Sequence, residues 1–206
     1  MFTKYDREDS IQSVYCYSGT DIYKNKFKIM DSKRLSEVES DLVSNRLIEM
    51  SRNPIRGRFG VAHFLKIHKY MFQDVYYFAG KTREEDIWKG NTFFCKCEYI
   101  KSSLSEVLLK LKSEKYLKEC NDKDIVSRLA FYMSELNMIH PFREGNGRAI
   151  REFIRILAHK NNYIINWQYV DSEMLFSATI MAADCQYDLL EECIMIALGI
   201  NVSNNK

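Results

Sequence analysis

The sequence predicts an all-α protein carrying one small β-hairpin. Three observations predict it. Only two prolines, Pro54 and Pro141, and eight glycines interrupt 206 residues, so few positions break a helix. Apolar residues recur at helical spacing along most of the chain. One stretch, residues 84–97, reads instead as two short apolar runs about a turn.

The elements follow in order. Stripes through Val38, Leu42 and Leu47, and through Val61, Phe64, Leu65, His68 and Phe72, predict the first two helices. The stretch EEDIWKGNTFFCKC from Glu84 to Cys97 then places a turn at Lys89, Gly90 and Asn91 between Ile87-Trp88 and Phe93-Phe94. That is a hairpin pattern. Ile100, Leu104, Val107, Leu108 and Leu111 mark the next helix. Ile125, Leu129, Tyr132, Met133 and Leu136 mark another, with Asn121 placed to cap it and Asp124 in its first turn. Ile150, Phe153, Ile154, Leu157 and Ala158 form a further stripe. Met174, Ala178, Met181 and Ala182 begin the C-terminal helices, and Leu190, Ile194 and Leu198 close them. The last six residues, NVSNNK, read as a frayed tail. No repeat or linker divides the chain, so a single domain over 1–206 is expected.

Composition sets limits on function. Hydrophobic residues make up 46% and charged residues 28%, a balance suited to a globular core. The formal net charge of +2 gives no basic field for nucleic acid or membrane. The opening MFTKYDREDS lacks the apolar stretch of a signal peptide, and no uncharged apolar run reaches bilayer length. A cytoplasmic location is the expectation. The six cysteines are scattered, and Cys95 and Cys97 lack zinc spacing. They are expected to be reduced thiols.

The chemistry concentrates in HPFREGNGRAIR, residues 140–151. The preceding helix is expected to end near Ile139, where Pro141 stops it and forces His140 into an extended conformation. The next helix is expected to begin near Asn146. A helix N-terminus offers unpaired N–H groups and a positive dipole end, and Gly145 and Gly147 let a ligand approach the backbone. Arg148 and Arg151 stand three residues apart, hence on one face, and the guanidinium fork matches phosphate oxygens. Glu144 beside such a cradle would repel phosphate unless a cation intervened, and magnesium shared with phosphates answers that need. His140 has the chemistry of a general base. Base, metal carboxylate and phosphate cradle in one segment fit attack of a hydroxyl on phosphorus. Phe142 is expected to anchor the loop in the core, and Arg155 to lie on the surface.

The segment matches every fixed position of the Fic motif, H-x-F-x-[D/E]-G-N-G-R-x-x-R. Residues 67–100 also resemble the family's helix leading into its flap hairpin, and residues 17–35 resemble its N-terminal segment. The resemblance implies an all-α Fic fold with a β-hairpin flap, and transfer of AMP from ATP to a Ser, Thr or Tyr hydroxyl of a target protein. It implies that His140 deprotonates the acceptor, that Glu144 holds Mg2+, and that Gly145, Asn146 and Gly147 form the anion hole with the Asn146 side chain near the α-phosphate. Arg148 and Arg151 would hold the outer phosphates. The flap residues Lys89, Gly90, Asn91, Thr92 and Phe93 would pair with an extended piece of target by strand addition.

Two other reactions fit the same fold. Phosphate transfer, as in the related Doc toxins, goes with a lysine where this chain has Gly147. Removal of AMP from a modified target uses the same residues to activate water. A non-catalytic ATP-binding or interaction module is the reading from another class, and loss of the histidine would mark it. The family's inhibitory pattern, [S/T]-x-x-x-E-[G/N], is not found: Ser102 and Glu106 are followed by Val107, and Glu37, Glu39, Glu191 and Glu192 lack the Ser or Thr. The N-terminal segment resembles that of Fic toxins restrained by a separate small antitoxin. The resemblance therefore implies the toxin of a toxin–antitoxin pair, inhibited in trans by a glutamate on Arg151.

Overall fold

A computed structural model describes residues 12–90 and 92–200. The polar start, the NVSNNK tail and the flap residue Asn91 lie outside the described residues. The described residues form seven α-helices and one two-stranded antiparallel sheet, the all-α class with a small hairpin that the sequence predicts. The helices are α1 (Ser32–Arg52), α2 (Val61–Phe72), α3 (Ile100–Ser113), α4 (Asp122–Ile139), α5 (Asn146–Lys160), α6 (Ser172–Ala183) and α7 (Asp188–Leu198). The strands are β1 (Trp88–Lys89) and β2 (Thr92–Phe93). No helix among the described residues is long and apolar enough to cross a membrane.

The chain gathers into two compact units, residues up to 101 with 140–149, and residues 102–139 with 150 onward. In the first, Asp31 caps α1 by accepting the Arg34 N–H at 2.7 Å, and α1 packs on α2. The fully buried line of α1 is Leu35, Val43 and Met50, whereas the expected stripe of Val38, Leu42 and Leu47 is half-buried. The shift has a cause. Glu39 and Arg46 share the inward flank with those residues, and polar partners hold both there: Arg46 Nε lies 2.7 Å from Asp74. Helix α2 buries Phe64, Ile67, His68, Met71 and Phe72.

The hairpin pairs Trp88 with Phe93 and Lys89 with Thr92. Lys89 therefore belongs to strand β1, not to the turn expected from the sequence. The register leaves a two-residue connection, which starts at Gly90 with φ +55°. Ile87 is buried beneath the sheet's root, and Phe94 N–H reaches its carbonyl at 3.4 Å.

The second unit contains mutually packed α4, α6 and α7. Asn121 Oδ1 accepts the Asp124 N–H at 2.9 Å, the expected cap. Asp171 caps α6 by accepting N–H groups from Glu173 and Met174. Arg155, expected on the surface, is half-buried and forms a two-point pair with Glu152 at 2.7 Å. All six cysteines are free thiols.

Candidate active site

Helix α4 ends at Ile139 and α5 begins at Asn146. The six residues between them are closed by the Asn146 side chain. Its Oδ1 accepts the Phe142 N–H at 2.8 Å, and its Nδ2 donates to the Phe142 carbonyl at 2.7 Å. Both ends of the amide thus hold the loop. Gly145 turns the chain into the helix with φ +80°, a value that disfavours any side chain. Gly147 already lies within α5. The N–H groups of the first helical turn point back toward the loop, as in an anion site.

His140 departs from the extended conformation expected of it. Its φ is +47°, in the left-handed region. Pro141 disfavours the right-handed region, and contacts from residues distant in sequence hold the left-handed one. Arg83 Nε donates to the His140 carbonyl at 2.8 Å, and Arg83 N–H donates to the Pro141 carbonyl at 2.8 Å. The imidazole stacks on Phe94 with ring centres 3.8 Å apart. These contacts offset a backbone cost of about 1–2 kcal/mol.

The rest of the loop is pinned from α2. Phe142 is fully buried and stacks on His68 at 3.7 Å. Gly80 N–H donates to His68 Nδ1 at 2.9 Å, so Nε2 carries the proton and donates to the Glu144 carbonyl at 2.9 Å. Burial pushes the His68 pKa down to about 3, which keeps this bridge neutral. Arg143 is buried, donating to the Tyr23 hydroxyl at 2.9 Å.

Glu144 Oε1 accepts the Gly145 N–H at 2.8 Å and lies 3.4 Å from Arg148 Nη2. Burial raises its pKa, Arg148 opposes the rise, and the like charge of Glu39 adds to it. Arg148 Nη2 meets Glu39 Oε1 at 2.6 Å, and its guanidinium lies 4.7 Å over the Phe72 ring. Glu39 in turn accepts from the Tyr76 hydroxyl. Among the described residues no group of three or more His, Cys, Asp or Glu side chains is gathered for a metal. A cation at Glu144 would therefore need donors from its substrate. Arg151 follows Arg148 one turn along α5 and is half-buried, and its carbonyl accepts from Trp167 Nε1 at 3.2 Å.

The flap belongs to the same unit as the loop. Burial lowers the pKa of Lys89, and the Glu144 charge opposes that fall, so the β1 ammonium lies within electrostatic reach of Glu144. Gly90 and Phe93 are exposed, Phe93 by 70%, while Lys89 and Thr92 are half-buried. Sequence reading missed Arg83, Glu39, His68 and Phe94. Glu39 had a signal, a charge on the inward flank of an amphipathic helix. His68 was hidden in an apolar stripe, and Arg83 carried no periodic signal at all.

The Fic/DOC family model matches residues 58–158. The protein adenylyltransferase VbhT of Bartonella schoenbuchensis is 39% identical over 180 residues, which cover 87% of this chain and 38% of VbhT. The chain thus spans well under half the length of that relative. The probable protein adenylyltransferase Fic of Escherichia coli is 35% identical over 159 residues, covering 77% of this chain and 78% of the relative. Among solved structures, BepC of Bartonella tribocorum with bound AMPPNP aligns with a TM-score of 0.81 at 23% identity, covering 89% of this chain and 95% of that one. An unbroken motif at the head of α5, a hairpin beside it and relatives of this similarity give one conclusion: the chain belongs to the Fic/DOC family.

Proposed function

We propose that this protein transfers AMP from ATP to a hydroxyl of a target protein. One observation carries the reading: a buried histidine and a helix N-terminus with its arginine stand at the two ends of a six-residue loop. His140 would take the proton of the acceptor hydroxyl as it attacks the α-phosphorus, with pyrophosphate leaving. The N–H groups from Gly145 to Gly147 would receive phosphate oxygens, and Arg148 and Arg151 would neutralise the outer phosphates. Glu144 would hold magnesium together with those phosphates. When bound, the ion would supply charge neutralisation. Gly147 in place of a lysine favours this orientation of ATP over Doc-like phosphate transfer. The relatives' names as adenylyltransferases support the same reading.

The target would dock along the flap by strand addition, which matches backbone more than sequence. We read residues 1–206 as one Fic domain working in the cytoplasm, where six free cysteines are at home. We also read the protein as restrained in trans by a small antitoxin partner, since its own chain lacks the inhibitory pattern.

The test is incubation of the protein and a cell lysate with α-labelled and, separately, γ-labelled ATP. Label from the α position alone is expected. Label from γ alone would replace the reading with phosphate transfer. His140→Ala should cut transfer by roughly 10²–10⁴-fold while nucleotide binding survives, and near-full transfer by the variant would remove His140 from its role.

A further inference from the structure

Arg83 is buried, with its side chain fully covered. Asp86 lies beside it, 3.8 Å away and half exposed at 53%. All three guanidinium nitrogens donate to main-chain carbonyls. Nε donates to His140 at 2.8 Å, Nη1 donates to Glu85 at 2.7 Å, and Nη2 donates to Cys95. These carbonyls come from three segments: the catalytic loop, the leg entering the hairpin and the leg leaving it. Burying a cation is costly, and burial presses the Arg83 pKa downward while the charge of Asp86 opposes the fall. A filler of the core needs no such arrangement.

The three segments meet again on the other side of the same bonds. Phe94, next to Cys95, stacks on the His140 imidazole at 3.8 Å. The leg that Arg83 grips by its carbonyl is therefore the leg that presses on the histidine ring. Arg83 N–H adds a fourth bond, to the Pro141 carbonyl at 2.8 Å. Each guanidinium nitrogen serves a different segment. A planar fork does this and a lysine ammonium, with its donors on one atom, does not.

We propose that Arg83 is a positioning residue, which fixes His140 and both legs of the flap in one register. A hydroxyl carried by a target strand on the flap then meets the imidazole at a set height. Arg83 itself touches neither target nor phosphate. The proposal rests on the reading of His140 as the base and of the flap as the target dock.

The experiment has three arms. Transfer from α-labelled ATP is followed at saturating ATP for wild type and Arg83→Lys, alongside nucleotide binding by calorimetry. The His140 imidazole proton resonances are recorded for both, because stacking on Phe94 shifts them. Exchange of the Arg83 Nε proton is measured in the wild type. Arg83→Lys should lose transfer by roughly 10²-fold, the scale of an ångström-sized misplacement. Nucleotide affinity should stay within about threefold, and the His140 signals should move toward those of an unstacked ring. The wild-type Nε proton should exchange slowly. Unchanged transfer or unmoved His140 signals would overturn the proposal, as would parallel loss of nucleotide binding, which marks a merely structural role. Should the lysine variant fail to fold, Arg83→Met keeps the volume and takes its place. Should both fail, slow Nε exchange supports the clamp and exchange at the solvent rate overturns it. A wild type that transfers no AMP at all would instead sink the functional reading, while the two resonance arms still decide the clamp.

Discussion

Replacing Gly145 with alanine tests whether the phosphate cradle depends on a bare backbone. With φ at +80°, any side chain there is strained, by about 1–2 kcal/mol. A methyl at this position would also lie 2.2 Å from Phe72 Cζ and 2.3 Å from Cε2. Phe72 is fully buried, so its ring must shift inside a packed core, at about 1–3 kcal/mol. Together these predict a loss of roughly 2–5 kcal/mol, or a melting point lower by about 4–20 °C for a chain of this length. The shift would not stay local. Phe72 carries the Arg148 guanidinium at 4.7 Å and packs on His68 at 4.7 Å, and His68 holds the Glu144 carbonyl. Nucleotide affinity should fall with stability. Gly90→Ala is the control, since it has positive φ but nothing within 4 Å of the added methyl. It should cost only the conformational part, about 1–2 kcal/mol. The assay is thermal melting by circular dichroism, with calorimetric titration of a non-hydrolysable ATP analogue. If Gly145→Ala melts no lower than Gly90→Ala and binds the analogue normally, the close approach of Phe72 to the loop is not there.

The raised pKa of Glu144 sets two opposite pH dependences. If Glu144 holds magnesium as proposed, it must be ionised to do so, so metal-dependent turnover should fade with acid at a higher pH than the ordinary 4.5 of a glutamate. Folding favours the proton, so Glu144 supports stability fully below 4.5 and less as pH rises through its folded value. Carboxyl carbon resonances checked in a titration decide both, and a Glu144 midpoint at or below 4.5 contradicts them. Thr92→Pro removes a donor from β2 and should reduce target modification more than nucleotide binding; equal losses would mean that the flap mainly covers nucleotide. Glu39→Gln should weaken magnesium–nucleotide binding about tenfold and lower the Glu144 pKa, because Arg148, already 3.4 Å from Glu144, would close on it. Tighter binding by that variant would make Glu39 a brake on Arg148 instead of its support.

The fold was legible because its signals are local. Helix stripes, the Asn121 cap and the hairpin's apolar runs depend on neighbours a few residues apart. The loop was legible as well, since His140, Glu144, Gly145 and Arg148 fall within nine residues of chain. The surroundings of that loop were not. Glu39, His68 and Arg83 reach it from 109, 76 and 57 positions away, counting Glu39 to Arg148, His68 to Glu144 and Arg83 to His140. No periodicity encodes such pairings. The conformation of His140 went astray for the same reason: the rule for a residue before proline is local, and the bonds that place it at positive φ come from Arg83 and Phe94.

The charges around Arg148 bear on how the site could be controlled. One guanidinium faces two carboxylates, Glu39 at 2.6 Å and Glu144 at 3.4 Å. This triad has a net charge of −1 when both acids are ionised. A triphosphate approaching it meets repulsion that Arg148 alone does not cancel. On the proposed reading two things would relieve the conflict: a divalent cation on Glu144, and main-chain N–H groups at the head of α5. The same arithmetic limits what Arg148 can accept from a partner. A third carboxylate, brought by a partner to Arg148, would enter a site already negative and lose more by repulsion than one ion pair returns. A glutamate brought by a partner is thus poorly suited to Arg148.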